Sequence, residues 1–332
     1  MAERKRINIS KSVLYESIRK RWHSENMICD VETAEISADK KKYYFANLKD
    51  NLIREMATKD MEAYGGASGQ ELRWKMRALY SSSAMTYNIF SVDDCSERKV
   101  DIRGIKDCKL PEGRYNLEFE KKLRALTNSA CLDVYLESDK SDNSDSIILF
   151  EMKMTEWILD YPSLISDSYN PKLAKMPREI AELLDEYIEK ENGEYKKYYR
   201  KQKNGNYKVF YKAITTYFDV FQIIKHVLGI YNAIQNEKFP KVKKIRLVIG
   251  YWTIPDDLFD DKNPKQNKQK VKYGNIKIGM EEEIDRFIEN FNDIKETLFG
   301  NYDFEIRRMT VKEIVNCLDK SPKEIKYLKR YI

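Results

Sequence analysis

Two short apolar stretches decide the fold of this 332-residue chain, Cys131-Leu-Asp-Val-Tyr-Leu136 and Ile147-Ile-Leu-Phe-Glu-Met-Lys153. Both are rich in large apolar, aromatic and β-branched residues, so each predicts a strand. Residues 138–145 between them are mostly serine and aspartate, which predicts the turn of a long hairpin. The two strands are therefore expected to pair antiparallel in one sheet.

Three charged side chains interrupt these apolar strands. Side chains of a strand alternate between its faces, so Glu151 and Lys153 share one face while Phe150 and Met152 occupy the other. Pairing through the predicted turn brings Asp133 towards Glu151. A carboxylate in an apolar strand is costly unless it is paired or binds a metal. Asp133, Glu151 and Lys153 are therefore the candidate catalytic residues.

Two carboxylates beside a lysine suit metal-assisted hydrolysis of a phosphodiester bond. Mg²⁺ prefers oxygen ligands in near-octahedral geometry and neutralises charge that develops on phosphate oxygens. Asp133, Glu151 and the backbone oxygen of Met152 are the expected ligands, with Mg²⁺ as the cofactor and Mn²⁺ as a substitute. Lys153 is expected to hold the attacking water and to help deprotonate it.

The spacing of Asp133 and Glu151-x-Lys153 resembles the PD-(D/E)XK superfamily, the fold of many restriction enzymes and recombination nucleases. Leu132 stands where the superfamily motif has proline, whereas the Glu-x-Lys half is intact. The resemblance implies an α/β fold, namely a restriction-endonuclease-like core with a mixed central β-sheet flanked by helices, plus helical additions at both ends. It also implies a metal-dependent DNA endonuclease that acts in restriction or defence.

Further segments are similar to one uncharacterised group of restriction-endonuclease-like proteins. These are residues 80–90, residues 151–156, and residues 219–226 followed by a strand that ends at Trp252. In related nucleases, a glutamine on the helix after the Glu-x-Lys strand supports the site, so the resemblance gives Gln222 that role. Glu156 is a second supporting candidate, with capping of the following turn as the alternative.

A glutamate just before the core sheet often completes such sites, and this chain offers Glu118 and Glu120. We predict a helix over residues 115–126, on which the two carboxylates flank the apolar face about equally. Glu120 is preferred as a catalytic residue, and Glu118 stays open as the alternative.

Two regions are candidates for nucleic-acid contacts. One is the predicted helix that continues to Phe90, where small polar residues could contact phosphate or pack against a neighbouring helix. The other, residues 195–203, interleaves basic and aromatic residues at the end of a helix predicted over residues 172–200. A solvated helix end is the alternative there. The candidate contacts are Ser82, Ser83, Asn88, Lys196, Lys197, Arg200 and Lys201.

The chain divides into three expected parts. Residues 1–64 form a helical N-terminal extension, and residues 65–255 form the nuclease core, including a helix over 217–235 and a strand over 244–252. Residues 256–332 form a lysine-rich loop, at 260–277, and C-terminal helices packed on the core.

Composition narrows the function classes. Only two histidines are present, so the chain offers few residues for an HExxH zinc site or a Ser-His-Asp triad. Five dispersed cysteines predict no disulfide framework and fit a reducing cytoplasm. The net charge of +6 permits a DNA partner, and no apolar run predicts a membrane span. A homodimer is compatible with the resemblance. A non-catalytic DNA-binding or assembly module on the same fold is the alternative function.

Overall fold

The computed structural model describes residues 6–22, 41–65, 70–93, 97–106, 108–126, 128–139, 145–202, 204–239 and 241–332. Within these ranges a six-stranded mixed sheet is flanked by helices, which confirms the predicted fold class. The strands of this sheet and of two small sheets are β1 (Lys99–Ile102), β2 (Gly113–Arg124), β3 (Ser129–Ser138), β4 (Ser146–Lys153), β5 (Ile165–Ser166), β6 (Lys190–Glu191), β7 (Glu194–Tyr195), β8 (Tyr198–Lys201), β9 (Tyr207–Tyr211), β10 (Lys244–Tyr251) and β11 (Asp303–Thr310).

Helices precede the main sheet, cover it and follow it. They are α1 (Lys11–Arg21), α2 (Thr58–Gly65), α3 (Gln70–Arg73), α4 (Ser82–Phe90), α5 (Glu156–Leu159), α6 (Arg178–Tyr187), α7 (Val220–Gln235), α8 (Pro264–Phe299), α9 (Val311–Cys317) and α10 (Pro322–Leu328). Within the ranges described by the structure, none of these helices is both long enough and apolar enough to cross a membrane.

The main sheet has the order β1-β2-β3-β4-β10-β11. Its first four strands are antiparallel neighbours, whereas β4, β10 and β11 run parallel. Parallel neighbours need crossover connections, and α7 and α8 lie in those before β10 and β11. Helices on both faces bury parallel strands, which explains why all of β4 except Lys153 is buried.

The predicted helix over residues 115–126 is wrong, because this segment is strand β2. Its residues include strong helix formers, but Tyr115, Leu117 and Phe119 are buried at every second position. Pairing with β3 over nine positions supplies backbone hydrogen bonds and buries that face. Tertiary pairing therefore overrides the local helix propensity.

Other segments also differ from the prediction. Only Arg178–Tyr187 of the predicted helix 172–200 is α-helical, and short strands follow at Lys190–Glu191, Glu194–Tyr195, Tyr198–Lys201 and Tyr207–Tyr211. The lysine-rich residues 260–277 mostly belong to α8, which starts at Pro264 after an Asn263 cap. Strands β1 and β11, at the two edges of the main sheet, have no counterpart in the prediction.

Cys108 and Cys317 are joined in a disulfide, with Cα atoms 5.4 Å apart. The sequence suggests no disulfide framework, and this single pair was not predicted. The two cysteines lie 209 residues apart, so no local sequence pattern predicts their pairing. Only the folded sheet brings the segment after β1 next to α9.

Substitution of Phe150 tests the packing of the core directly. Its side chain is fully buried on β4 and its ring lies 4.7 Å from that of Phe90 on α4. We expect Phe150→Ala to lower the free energy of unfolding by about 3–5 kcal/mol, because it leaves a cavity. The measurement is urea denaturation, with Leu173→Ala as the control because Leu173 is 75% exposed. Equal losses in both variants would contradict this account of the core.

Candidate active site

The strand register brings three carboxylates into one row across the sheet. Phe119 pairs with Val134, and Val134 pairs with Phe150. Extended by one position, the same register sets Glu120 opposite Asp133 and Asp133 opposite Glu151. The backbone of Glu120 has a φ of 53°, in the left-handed region that is uncommon for residues other than glycine. The pairing of β2 with β3 is interrupted at this residue and resumes after it.

Asp133 lies against the end of β4. Its Oδ2 accepts a hydrogen bond of 2.5 Å from the backbone N–H of Met152. Burial and the negative charge of Glu151 raise the pKa of Asp133 well above its usual range, although Lys153 opposes this shift. The two carboxylates therefore repel each other across the strands, and a bound cation would relieve that repulsion.

Both oxygens of Glu151 are occupied. The side chain is 2% exposed, its Oε1 lies 2.7 Å from the Nζ of Lys153, and its Oε2 lies 2.8 Å from the Nε2 of His226. Burial raises the pKa of Glu151, but Lys153 and His226 together outweigh it and hold the pKa below the usual range. Glu151 is therefore ionised in this site.

Lys153 is a protonated ammonium at the open edge of the site. Its side chain is 28% exposed, whereas the carboxylate of Glu151 beneath it is almost fully buried. Burial lowers the pKa of Lys153, but the charges of Glu151, Asp133 and Glu156 overcome this and raise it. The ammonium is thus a hydrogen-bond donor and a positive charge, not a free base.

His226 is a site residue that the sequence reasoning missed, since a histidine beside the apolar stripe of a helix is more often a packing residue. The ring is 1% exposed on α7. Its Nε2–H donates to Glu151, and its Nδ1 has no hydrogen-bond partner in the described part of the chain. A usable signal was its place four residues after Gln222, since this spacing puts both side chains on one helix face.

The structure distinguishes Glu118 from Glu120. Glu118 is 40% exposed and forms an ion pair of 2.7 Å with Lys121. Glu120 instead accepts a hydrogen bond of 3.1 Å from the Sγ of Cys131. Burial raises the pKa of Glu120, and the charges of Glu71 and Glu151 raise it further. Glu120, and not Glu118, therefore interacts electrostatically with the other carboxylates of the row.

A cavity of about 240 Å³ opens beside Glu151 and Lys153, and Gln222 and Glu156 both line it. The side chain of Gln222 has no hydrogen-bond partner among the described residues and is free to meet a ligand. Glu156 accepts a hydrogen bond of 2.9 Å from the N–H of Met154 and so also stabilises the turn before α5. Both alternatives stated for Glu156 are thus compatible with its position.

The candidate contacts at α4 need a correction. Asn88 is completely buried. Its Oδ1 accepts a hydrogen bond from the N–H of Ile53, and its Nδ2 donates to the backbone oxygen of Asn51 and to the hydroxyl of Tyr331. It therefore holds α4 in place and has no free group for a nucleic acid. Ser83 donates to Glu71 at 2.6 Å, and Ser82 is half-buried.

The basic candidates lie on and beside a β-hairpin, and not at a helix end. Lys196 pairs with Glu189 at 3.0 Å, whereas Lys197 is exposed just before β8. Arg200 and Lys201 are exposed on β8 itself.

The residues from 15 to 252 match a family model described as Restriction Endonuclease associating with ARP. This match spans more than half of the chain and includes the whole carboxylate row and α7. The chain belongs to this family. The resemblance to restriction-endonuclease-like proteins is thereby confirmed. No curated protein and no solved structure matches the chain.

The residues of this restriction-endonuclease family member fit a magnesium ion. Within the described ranges, no group of three or more His, Cys, Asp or Glu side chains has a metal-binding arrangement. Mg²⁺ does not require one, because it usually binds through one or two carboxylates and takes its other ligands from water and phosphate. Asp133 and Glu151 meet that requirement, and their mutual repulsion favours a cation between them.

Replacing Asp133 by asparagine tests this repulsion. Because the pKa of Asp133 is raised on folding, the wild type loses stability as pH rises above the unfolded pKa of about 3.9, by up to roughly 1.4 kcal/mol per unit. Asparagine does not titrate. We expect Asp133→Asn to melt at a higher temperature than wild type in EDTA, with a difference that grows as pH rises above the unfolded pKa and levels off above the raised pKa of folded Asp133. A difference that shrinks with pH would contradict the raised pKa.

Proposed function

We propose that this protein is a Mg²⁺-dependent endonuclease that hydrolyses phosphodiester bonds of DNA. The observation that carries the proposal is the convergence of Asp133, in the middle of β3, with Glu151 and Lys153 at the end of the adjacent strand β4. Family membership supports a nuclease-like role. Restriction or defence is the role proposed for it, and ARP, named in the family description, is a proposed associate.

Hydrolysis joins a water oxygen to phosphorus and breaks the bond from phosphorus to one sugar oxygen, while the attacking water gives up a proton to solvent and the leaving sugar oxygen takes one up. Asp133, Glu151 and the backbone oxygen of Met152 would hold the magnesium ion. When bound, this ion supplies Lewis-acid stabilisation of the negative charge on the phosphate oxygens. Mn²⁺ is the proposed substitute.

Lys153 contributes as a cation. Its protonated state lets it donate hydrogen bonds to the attacking water or to a phosphate oxygen. This differs from the simpler expectation that Lys153 deprotonates the water, since a raised pKa disfavours the neutral amine. The ammonium therefore positions the water and stabilises charge.

Residues around this centre position it. His226 holds Oε2 of Glu151, which orients the carboxylate in the way that supporting groups orient metal ligands. Glu120 lies at the far end of the row and adds a third carboxylate. Gln222 faces the cavity from α7 and is proposed to contact the substrate.

Cleavage of supercoiled and linear DNA tests the proposal. Purified wild type, Glu151→Ala and Lys153→Ala are compared in Mg²⁺, in Mn²⁺ and in EDTA. We expect nicking by the wild type in either metal, and loss in EDTA and in both variants. Equal activity in all three proteins would contradict the proposed site. DNA binding without cleavage in any metal would instead favour a non-catalytic module on this fold.

A further inference from the structure

The cavity beside the carboxylates is chemically unlike them. It is lined mainly by apolar groups, including the rings of Trp157, Phe218 and Tyr251. Glu151 and Lys153 lie at one end of it. A phosphate group is charged and gains nothing from an apolar, aromatic wall.

The nucleobase is the part of a nucleic acid that suits such a cavity. Its faces are apolar and stack on aromatic side chains, and its edge carries hydrogen-bonding groups. About 240 Å³ is below the roughly 300–1,000 Å³ of sites for drug-sized ligands, so the space suits one ring system. The free amide of Gln222 could meet the base edge. A base enters such a cavity only if it is unstacked from its neighbours.

A second surface favours unpaired bases independently. On the β8–β9 hairpin, Tyr199 pairs with Val209 and Lys201 pairs with Tyr207. These four side chains therefore share one face, on which the two tyrosines are diagonal neighbours roughly 7–8 Å apart. Tyr199 is 64% exposed and Tyr207 is 65% exposed. Exposed rings of this kind are stacking platforms for the bases of single strands.

The charge of the hairpin complements a nucleic acid. Strands β8 and β9 contain no acidic residue, and they carry Arg200, Lys201 and Lys208. Arg200 and Lys208 both lie over the ring of Phe210, at 5.2 and 5.4 Å. These two cations lie on the face of the hairpin opposite Tyr199 and Tyr207, so Lys201 is the basic group that shares the face of the two tyrosines and can meet a phosphate there.

The chain connects the hairpin directly to the cavity. Ser163 lines the cavity, and β5 begins two residues later at Ile165, which pairs with Tyr211 of β9. After β9 the chain returns to the cavity wall at Tyr217 and Phe218. The segments before and after this small sheet therefore both contribute to the cavity wall.

We infer that the DNA strand is bound unpaired, stacked on Tyr199 and Tyr207, with the base beside the scissile phosphate in the cavity next to Glu151 and Lys153. This inference rests on the proposed function and defines the state of its substrate. Duplex DNA would use these two surfaces only where its bases unpair, so nicking of supercoiled or linear DNA is expected at sites of local strand opening.

Binding of one sequence as a single strand and as a duplex tests the inference. Fluorescence anisotropy is measured in EDTA on full-length wild type, on Tyr199→Ala/Tyr207→Ala and on Tyr199→Phe/Tyr207→Phe. We expect tighter binding of the single strand, a loss of roughly 10-fold or more in the alanine variant, and near wild-type binding with phenylalanine, which keeps the rings. Both tyrosines are exposed, so these variants should fold. Equal or tighter duplex binding, or single-strand binding unchanged in the alanine variant, would overturn the inference.

Binding of a base in the cavity can be measured separately from binding to the hairpin. A single strand carries 2-aminopurine at successive positions, because its fluorescence reports whether the base is stacked on its neighbours. We expect wild type to change the signal at one position, and Gln222→Ala to reduce that change. No position-specific change would overturn the cavity assignment. If binding depends on the tyrosines but no metal supports cleavage, only the proposed function is contradicted. If duplex DNA is cleaved equally well with and without the two tyrosines, only this inference is contradicted.

Discussion

Glu151→Gln is expected to lower metal-dependent DNA cleavage by roughly 10³-fold or more while leaving the protein folded. Glutamine keeps the size of glutamate, its oxygen can accept from Lys153, and its NH2 group can donate to Nε2 of His226 in the other tautomer of the ring. It removes the negative charge that a magnesium ion would require. Because Asp133 stays beside Lys153, the ammonium retains a counter-charge. The measurement is single-turnover cleavage in Mg²⁺, with the melting temperature measured in parallel.

Glu118→Gln is the matched control for this substitution. Glu118 lies on the same sheet, but it is 40% exposed and paired with Lys121 instead of the row. An exposed ion pair contributes little, so both activity and stability should stay near wild type. A similar loss of cleavage in Glu118→Gln and Glu151→Gln would show that general surface charge, and not the row, governs activity.

Lys153→Met is expected to lower the free energy of unfolding in EDTA by about 3 kcal/mol as well as to abolish cleavage. Methionine keeps the apolar length of the side chain but leaves Glu151 without its ion-pair partner at 2.7 Å. Removing one partner of a buried pair typically costs about 3–5 kcal/mol, and the lower end applies because Lys153 is partly exposed. Urea denaturation gives the stability directly.

The double variant Glu151→Gln/Lys153→Met separates charge pairing from packing. Removing both charges leaves no unpaired ion at this position, so we expect it to recover most of the stability that Lys153→Met loses. Cleavage should stay absent, because neither charge is restored. A double variant as unstable as Lys153→Met would indicate that packing, and not the unpaired carboxylate, causes the loss.

The strands that carry the site were predictable because their signal is local. Apolar residues with Glu151 and Lys153 two positions apart define β4, and the polar stretch after β3 indicates a turn. The approach of Asp133 to Glu151 then follows from antiparallel pairing. The same reasoning gave α7 and β10, whose patterns are also strongly apolar.

The errors arose where distant pairing decides the structure. The residues around Glu120 favour a helix locally, and only the neighbouring β3 makes them a strand. The left-handed backbone of Glu120 and the contact of His226 with Glu151 likewise depend on elements far apart in sequence. The edge strand β11 was also missed, because it pairs with β10 only after the 36-residue helix α8.

Anomalous scattering from crystals of the protein grown with Mn²⁺ tests the central claim most directly, since it locates the metal without relying on activity. The account predicts one strong anomalous peak within coordination distance of the carboxylates of Asp133 and Glu151, and no peak there in Glu151→Gln crystals. A fully loaded metal elsewhere on the protein, with none at this carboxylate pair, would contradict it.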